Sequence, residues 1–406
     1  MTISPPIDLC EWNVDEAATK GLHPPKEVVV VDCTLREGEQ TPGAVFRRED
    51  KLMLADAMVA AGFRQLEIGM PAISPYEEET IRLITGRGLD CLCFVVSMAT
   101  RDDVLRAKDC GADGIGLSLP SGRLQVEKKL GWTYDRVVDT AVELTAFAHE
   151  QGLRVTLSPY DTFRADPAFL ERYLITVMDQ GHMDRVRLVD TVGCAAPHAV
   201  TAMVAKMREW TRDTVPIEVH CHNDFGFGLA NTIAGVMAGA GVVSTTINGL
   251  GERAGGASTL QVIAALELVY GVHTGVDIAS LTDLSRLVER ISGIQVQAYE
   301  PLVGPLTYQM ETGSVLSGYF KDPAVAFPFP PALVGGKVTV VLGKKSGRQS
   351  VQFKVNELGL PTLGDAEIAV LLKRVKDHAE ATAASVPDEL FRQWVSEETA
   401  SAGSPR

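Results

Sequence analysis

The feature that most constrains this fold is a regular alternation of short β-branched runs with longer amphipathic runs, from about residue 28 to residue 272. The short runs predict buried strands. The longer runs predict helices, because their apolar residues recur at spacings of three and four. Eight such units match the size and order of a (β/α)8 barrel. The strand-like runs lie at 28–32, 64–70, 91–97, 114–120, 154–159, 185–191, 217–222 and 244–250.

A doubly wound open sheet would show the same local alternation, so periodicity alone leaves both folds open. The polar residues suited to chemistry favour the barrel over the open sheet, because nearly all of them lie at the C-terminal end of a predicted strand. A barrel brings all eight of these ends to one mouth, whereas an open sheet separates the first from the last. We therefore predict an α/β fold of the TIM-barrel type. The residues concerned are Asp32, Arg36, Glu37, Glu67, Ser158, Thr191, His220, His222 and Asn248.

The chain of 406 residues is longer than a barrel requires, and its pattern changes beyond residue 275. We expect an N-terminal extension at 1–27 and the catalytic barrel at 28–275. A segment rich in Gly and Pro at 276–345 predicts a small mixed linker subdomain of irregular structure. Amphipathic runs at 346–380 and 386–398 predict a C-terminal helical subdomain at 346–406.

Composition excludes several classes of function. A net charge of −14 offers no basic face for nucleic acid. No apolar run approaches the ~20 residues that cross a bilayer, and the first residues lack the basic and apolar segments of a secretory signal. Seven scattered cysteines indicate reduced thiols rather than a disulfide framework. We therefore expect a cytoplasmic enzyme or scaffold, with no nucleic-acid or membrane partner.

Two motifs predict a metal site. His220 and His222 in HCHND are two apart on a strand, so both imidazoles face the same side and can reach one cation. DCTLREGEQ at 32–40 follows the first strand and supplies the carboxylate of Glu37. Taken alone, the first motif could be a polar strand pair and the second a solvated turn. Together they suit a divalent ion such as Mg, Mn or Zn with positions left for substrate oxygens.

Two glycine-rich segments are less specific. INGLGERAGGAS at 247–258 and VLGKKSGR at 341–348 could each bind a phosphate group or form a tight turn. The first has neither a Walker lysine nor the GxGxxG spacing, and the second, which could meet a phosphate or adenine group, could equally be a solvated turn. Both interpretations stay open at this point.

The chain resembles the homocitrate synthase and isopropylmalate synthase family of DRE-TIM metallolyases. The motifs that carry the resemblance run in the family's order from about residue 28 to 380: DCTLREGEQ, EIGMP, LVDTVG, HCHNDFGFGLAN, INGLGERAGGAS and VLGKKSGR. The resemblance implies condensation of an acyl-CoA, usually acetyl-CoA, with a 2-oxo acid, followed by thioester hydrolysis. It also implies a homodimer.

The resemblance assigns roles to individual residues. Glu37, His220 and His222 would be metal ligands, with Asn248 beside them. Arg36 would stabilise the developing alkoxide. The remaining residues would bind substrate or orient the groups around the metal: Gln40, Glu67, Ser158 and Thr191.

Departures from the family pattern bear on the substrate. Homocitrate synthases use an arginine to bind the distal carboxylate of 2-oxoglutarate where this chain has Thr156, and Tyr160 replaces an acid of the same strand loop. We count Thr156 and Tyr160 among the substrate-binding positions and expect a substrate other than 2-oxoglutarate. The family's HESGIH segment is METGSV here, at 310–315, which removes the histidine that takes part in deprotonating acetyl-CoA. Glu311 is the candidate base in its place.

Two other functions remain open on the sequence. One is a metal-dependent carbon–carbon lyase or aldolase of the same superfamily. The other is a catalytically idle barrel that acts as a binding or regulatory subunit. The intact motifs around Arg36 and Glu37 favour the synthase, whereas the missing HESGIH-like histidine favours the idle subunit.

Overall fold

In a computed structural model of the chain, which describes residue 7 and residues 9–402, eight parallel strands close into a barrel in sequence order. The first strand pairs with both the second and the eighth, which completes the ring. The predicted (β/α)8 barrel is therefore confirmed. The strands are β1 (Val29–Asp32), β2 (Gln65–Gly69), β3 (Leu92–Ser97), β4 (Gly114–Pro120), β5 (Arg154–Tyr160), β6 (Arg185–Asp190), β7 (Ile217–Cys221) and β8 (Val242–Thr245).

A short helix, α1 (Glu16–Thr19), precedes the barrel, and one α-helix follows each strand. Helix α5 shows how the sequence determines where a helix begins. The Thr133 hydroxyl accepts a hydrogen bond from the backbone N–H of Arg136 and caps the N-terminus of the helix. Val137, Ala141 and Ala148 then lie buried at helical spacing on the face toward the strands. The eight helices are α2 (Arg48–Ala60), α3 (Pro75–Thr85), α4 (Arg101–Asp109), α5 (Tyr134–Glu150), α6 (Pro167–Gln180), α7 (Pro197–Trp210), α8 (Gly228–Met237) and α9 (Thr259–Ala264).

The chain forms two compact units that divide between Val296 and Gln297. Helix α10 (Leu281–Ser292) belongs to the first unit and packs against α2. It is a regular helix inside the segment 276–345, for which the sequence pattern predicted irregular structure. Its apolar residues recur at helical spacing, but the surrounding glycines and prolines hide that signal.

The second unit has its own apolar core, which includes Leu371, Phe391 and Val395. Three of its helices occupy the part of the chain where helices were expected. Its elements are β9 (Gln309–Met310), α11 (Gly313–Tyr319), β10 (Thr339–Val340), α12 (Arg348–Glu357), α13 (Asp365–Thr382) and α14 (Asp388–Ala402). The outer ends of the predicted N-terminal extension and C-terminal subdomain lie outside the described residues. Within the residues described, no helix is both long and apolar enough to span a membrane.

Gly62, just after α2, gives a test of barrel packing. It has a φ of +100°, and a Cβ there would lie 2.4 Å from the carbonyl oxygen of Gly275. Gly88 also has a positive φ, of +64°, yet a Cβ there would meet nothing within 4 Å. We expect Gly62→Ala to lower the free energy of unfolding by at least ~1 kcal/mol more than Gly88→Ala, because only the first adds a clash with backbone. Urea denaturation measures both; equal losses would contradict this packing.

Candidate metal centre and active site

Asp32, the last residue of β1, fixes the loop that carries the first site residues. Its Oδ1 accepts from the backbone N–H of Thr34 at 2.9 Å, and its Oδ2 accepts from the hydroxyl of Thr259 at 2.8 Å. Burial raises the pKa of Asp32 to about 6, although the bonds from Thr34 and Thr259 oppose the rise. The loop then turns so that the backbone N–H of Glu37 donates to the carbonyl of Cys33 at 2.7 Å.

Glu37, His220 and His222 meet at the mouth of the barrel. Each offers one ligand atom, these atoms all lie within 4.8 Å of one another, and all three residues are buried. The ring Nε2 of His222 lies 3.9 Å from Oε1 of Glu37. The other ring nitrogen, Nδ1, lies 3.2 Å from the carbonyl oxygen of Gly255 and can donate a hydrogen bond to it. That tautomer leaves the Nε2 lone pair of His222 directed toward the carboxylate.

His220 is in the neutral form in which an imidazole can bind a metal ion. Burial lowers the pKa of His220 well below its ordinary value, and the nearby guanidinium groups of Arg187 and Arg36 add to the effect. Its ring therefore stays neutral. Its Nδ1 is buried without a hydrogen-bond partner among the described residues. Two imidazoles beside a carboxylate, with one ring nitrogen of His220 unpartnered, fit a divalent cation.

Arg36 connects this cluster to the barrel interior. Its Nε donates to Oε1 of Glu67 at 2.6 Å, its Nη1 donates to the side-chain oxygen of Gln40 at 2.7 Å, and it also pairs with Glu37. Burial opposes the charge of Arg36, but Glu67 and Glu37 outweigh burial and raise its pKa. The guanidinium is thus permanently charged and held in one orientation.

A chain of alternating charges continues below Arg36, inside the ring of strands. Glu67 pairs with Arg187 of β6 at 2.7 Å, and Arg187 pairs with Glu218 of β7 at 2.7 Å. Arg185 lies 3.2 Å from the other oxygen of Glu218. Burial favours protonation of Glu67, yet Arg187 and Arg36 outweigh it and lower its pKa below the ordinary range. We call Arg36, Glu67, Arg187, Glu218 and Arg185 the interior charge ladder.

Most of the predicted site residues line one cavity of about 190 Å³ at the mouth. The structure therefore brings together side chains from four strands or the loops that follow them, as a barrel should. The predicted residues on its wall are Arg36, Glu37, Gln40, Ser158, Tyr160, Thr191, His220 and His222.

Other predicted residues lie elsewhere. Glu67 is fully buried beneath Arg36. Thr156 borders a different cavity, of about 290 Å³, near the N-terminal ends of the strands. The side chain of Asn248 binds Ser285 instead: its Nδ2 donates to the backbone carbonyl of Ser285 at 3.0 Å, and its Oδ1 accepts from the Ser285 hydroxyl at 2.7 Å. Glu311 lies in the second unit, where its carboxylate accepts from the backbone N–H of a lysine at 2.7 Å. The roles assigned to these residues stay predictions.

The structure adds residues that the sequence reasoning missed. Lys129, Ser118 and Glu252 line the cavity, and Arg187 forms part of its floor. Arg187 and Glu218 had a usable signal, because Glu218 stands two positions before His220 on β7 and Arg187 stands four positions before Thr191, so each faces the same side as a predicted site residue. Lys129 had none, since it lies in a helical segment after β4 rather than at a strand end.

The glycine-rich segment 247–258 ties the loops of the mouth together. Arg253 pairs with Asp224 in the loop after β7 at 2.8 Å, and its Nη2 donates to the carbonyl of Thr191 at 2.8 Å. A Cβ on Gly255 would lie 1.9 Å from the carbonyl oxygen of Gly249, so this tight turn requires glycine. The turn also presents the Gly255 carbonyl that orients His222.

Comparison with known proteins gives the family. Residues 27–288, well over half the chain, match the family model described as HMGL-like. The chain is 38% identical to the homocitrate synthase AksA of Methanopyrus kandleri, covering 88% of this chain and 89% of that one. It is also 38% identical to a probable 2-isopropylmalate synthase of Ignicoccus hospitalis, covering 87% and 88%. The chain belongs to the HMGL-like family. This confirms the resemblance to the DRE-TIM metallolyases, and the chain is an enzyme of the homocitrate and isopropylmalate synthase type.

Further HMGL-like proteins extend the comparison. The (R)-citramalate synthase CimA of Methanocaldococcus jannaschii is 35% identical, covering 87% of this chain and 71% of that one. The hydroxymethylglutaryl-CoA lyase of Pseudomonas aeruginosa superposes with a TM-score of 0.59 at 20% identity, covering 68% of this chain and 96% of that one. At that identity the likeness shows the fold alone, and the fold it shows is the barrel.

The histidine cluster predicts tight binding of a divalent cation. We expect His220→Ala and His222→Ala each to weaken Mn²⁺ or Zn²⁺ binding by more than the roughly 10–100-fold that outer partners of a metal site cost. His198→Ala is the matched control, because this exposed histidine lies at the start of α7 and should bind no differently from wild type. Calorimetric titration of metal-stripped protein measures all three. Unchanged affinity in the two site variants would contradict the cluster's role.

The interior charge ladder predicts that Glu67→Gln lowers the free energy of unfolding by a large amount, and that this amount is the same at pH 6 and at pH 8. A carboxyl with a lowered folded pKa contributes stability above its unfolded pKa of about 4.5 and loses it only as the pH falls toward the folded value. Removing the charge leaves Arg36 and Arg187 without a shared partner, which costs roughly 3–5 kcal/mol. Urea denaturation should give the same deficit at pH 6 and pH 8. Glu143→Gln, in an exposed pair with Arg101, should change little. A Glu67→Gln deficit that disappears toward pH 6 would contradict this assignment.

Proposed function

We propose that this enzyme condenses acetyl-CoA with a 2-oxo acid other than 2-oxoglutarate, giving a 2-hydroxy-2-carboxymethyl acid and CoA. One observation carries the proposal: Glu37, His220 and His222 converge with Arg36 on a single cavity at the C-terminal mouth of the barrel. Two of the relatives at 38% identity are named as a homocitrate synthase and a probable 2-isopropylmalate synthase. Both reactions that these names describe join an acetyl unit to a 2-oxo acid.

Glu37, His220 and His222 would hold the divalent cation, whether Mg, Mn or Zn. Once bound, the cation supplies Lewis-acid polarisation of the keto group. Arg36 then donates its N–H groups to the oxygen on which negative charge develops as the new carbon–carbon bond forms. Because Glu67 and Gln40 already hold the guanidinium, little reorganisation is needed in the transition state.

Three hydroxyl groups are placed to orient the 2-oxo acid. Thr191 lines the cavity, and its Oγ1 accepts from the backbone N–H of Asp161 at 2.7 Å, so its own hydrogen is free to bind a substrate carboxylate. Ser158 and Tyr160 lie beside it on β5. Thr156 supports exclusion of 2-oxoglutarate, because it brings no cation and does not border this cavity.

The reaction also needs a base and water. A base removes a proton from the acetyl methyl group, the resulting carbanion attacks the keto carbon, and water then cleaves the thioester to release CoA. Glu311 remains the predicted base. The homodimer and the cytoplasmic location likewise stay predictions from the sequence.

The assay is thiol release from acetyl-CoA across a panel of 2-oxo acids, with and without added divalent metal. We expect metal-dependent release with at least one acid, and Arg36→Met should lower kcat by roughly 10²–10³-fold, the cost of losing one oxyanion donor. Arg101→Met is the matched control, since this exposed arginine at the start of α4 pairs with Glu143 and does not line the cavity.

Other outcomes would overturn the proposal. Product formed only in the cleavage direction would identify a lyase instead. Metal binding without turnover of any acid, together with unchanged partner binding in Glu37→Ala, would identify an idle barrel that acts as a binding or regulatory subunit.

A further inference from the structure

The charges on the cavity wall are unevenly balanced. Two of its three cations are neutralised within the interior charge ladder: Arg36 by Glu37 and Glu67, and Arg187 by Glu67 and Glu218. Arg36 is committed to the reacting oxygen in the proposed function, and Arg187 is held between two buried carboxylates, so neither supplies uncompensated charge for a second anionic group of the substrate. The acid Glu252 at the rim is itself paired with an arginine at 3.3 Å.

Lys129 is the third cation, and it differs from the other two. Over the part of the chain that the structure describes, no carboxylate oxygen lies within the 4.0 Å ion-pair distance of its Nζ. The Nζ instead lies 5.3 Å from the centre of the Tyr160 ring. A cation over an aromatic face is held in place without being neutralised. Lys129 therefore presents an uncompensated positive charge to the cavity.

The barrel order places this charge opposite the metal cluster. Glu37 follows β1 and the two histidines lie on and after β7, whereas Lys129 follows β4 and Tyr160 ends β5. In a ring of eight strands, β1 and β5 are four positions apart, so they face each other across the mouth. A 2-oxo acid bound at the metal cluster by its keto and carboxylate oxygens would extend its far end toward Lys129. Ser118 and Ser158 line the same side and add hydroxyl donors.

We propose that Lys129 binds a second anionic group at the far end of the substrate, so that the enzyme acts on 2-oxo acids, other than 2-oxoglutarate, that bear a distal carboxylate or phosphonate. The proposal rests on the proposed function and narrows its substrate class. This anion site differs from one built on position 156, because Thr156 lies on β5 two residues before Ser158, toward the N-terminal end of the strand. Lys129 lines the cavity at the mouth, whereas Thr156 borders the other cavity, near the N-terminal ends of the strands.

The test compares Lys129→Met with Lys128→Met, an adjacent exposed lysine that does not line the cavity. Each 2-oxo acid with a second anion is paired with a monoacid of similar size: oxaloacetate with 4-methyl-2-oxopentanoate, and 2-oxoadipate with 2-oxoheptanoate. A third arm uses 3-phosphonopyruvate, which distinguishes phosphonate from carboxylate. The readouts are kcat/KM by thiol release and, without acetyl-CoA, calorimetric binding to the protein in the presence of Mn²⁺.

We expect wild type to prefer the dianionic member of at least one pair. Lys129→Met should lose roughly 10- to 100-fold in affinity and in kcat/KM for that acid, mainly through KM, because it removes a charge-assisted hydrogen bond. In the same variant, the affinity and kcat/KM for the paired monoacid should change by less than about twofold. Lys129→Arg should restore part of the loss, and Lys128→Met should match wild type.

The two proposals fail in different ways. Equal binding and turnover of dianionic acids by wild type and Lys129→Met, or a preference for the monoacids, would overturn the role of Lys129 while leaving the synthase intact. Lys129-dependent binding without thiol release from any acid would support the anion site and overturn the synthase reaction.

Discussion

The site depends on alternating charges that are buried inside the ring of strands. Glu67 holds Arg36 toward the cavity, and Glu67 stays ionised in a buried interior because Arg187 and Arg36 both pair with it. Each charge is costly to bury alone and tolerable with its neighbours. The arrangement makes the orientation of the reactive guanidinium a property of the whole barrel rather than of one loop.

The metal cluster depends on the barrel in a second way. His220 lies on strand β7. The glycine-rich turn after β8 supplies the Gly255 carbonyl, which accepts a hydrogen bond from Nδ1 of His222. The carboxylate of Glu37 arrives from the loop after β1. Parallel strands that close in sequence order bring these three sources to one end, which an open sheet would not do. Closure of the ring is therefore what turns scattered motifs into one site.

The sequence predicted the parts of this arrangement that follow a period. Strand and helix alternation predicted the barrel, and the spacing of His220 and His222 predicted the cluster. Lys129 could not be predicted in this way, because it reaches the cavity from a helical segment after β4 and not from a strand end. Asn248 shows the opposite case: it lies at a strand end as expected, yet a left-handed φ of +59° and bonds to Ser285 engage its side chain elsewhere. Backbone reversals of this kind leave no periodic signal.

The most direct measurement of the central claim is a crystal structure of the zinc-loaded protein with anomalous scattering recorded at the zinc edge. We predict one strong peak at the barrel mouth, roughly 2.0–2.2 Å from a carboxylate oxygen of Glu37 and from one ring nitrogen each of His220 and His222. A peak bound by other residues, or no peak at the mouth in protein that carries zinc, would contradict the account.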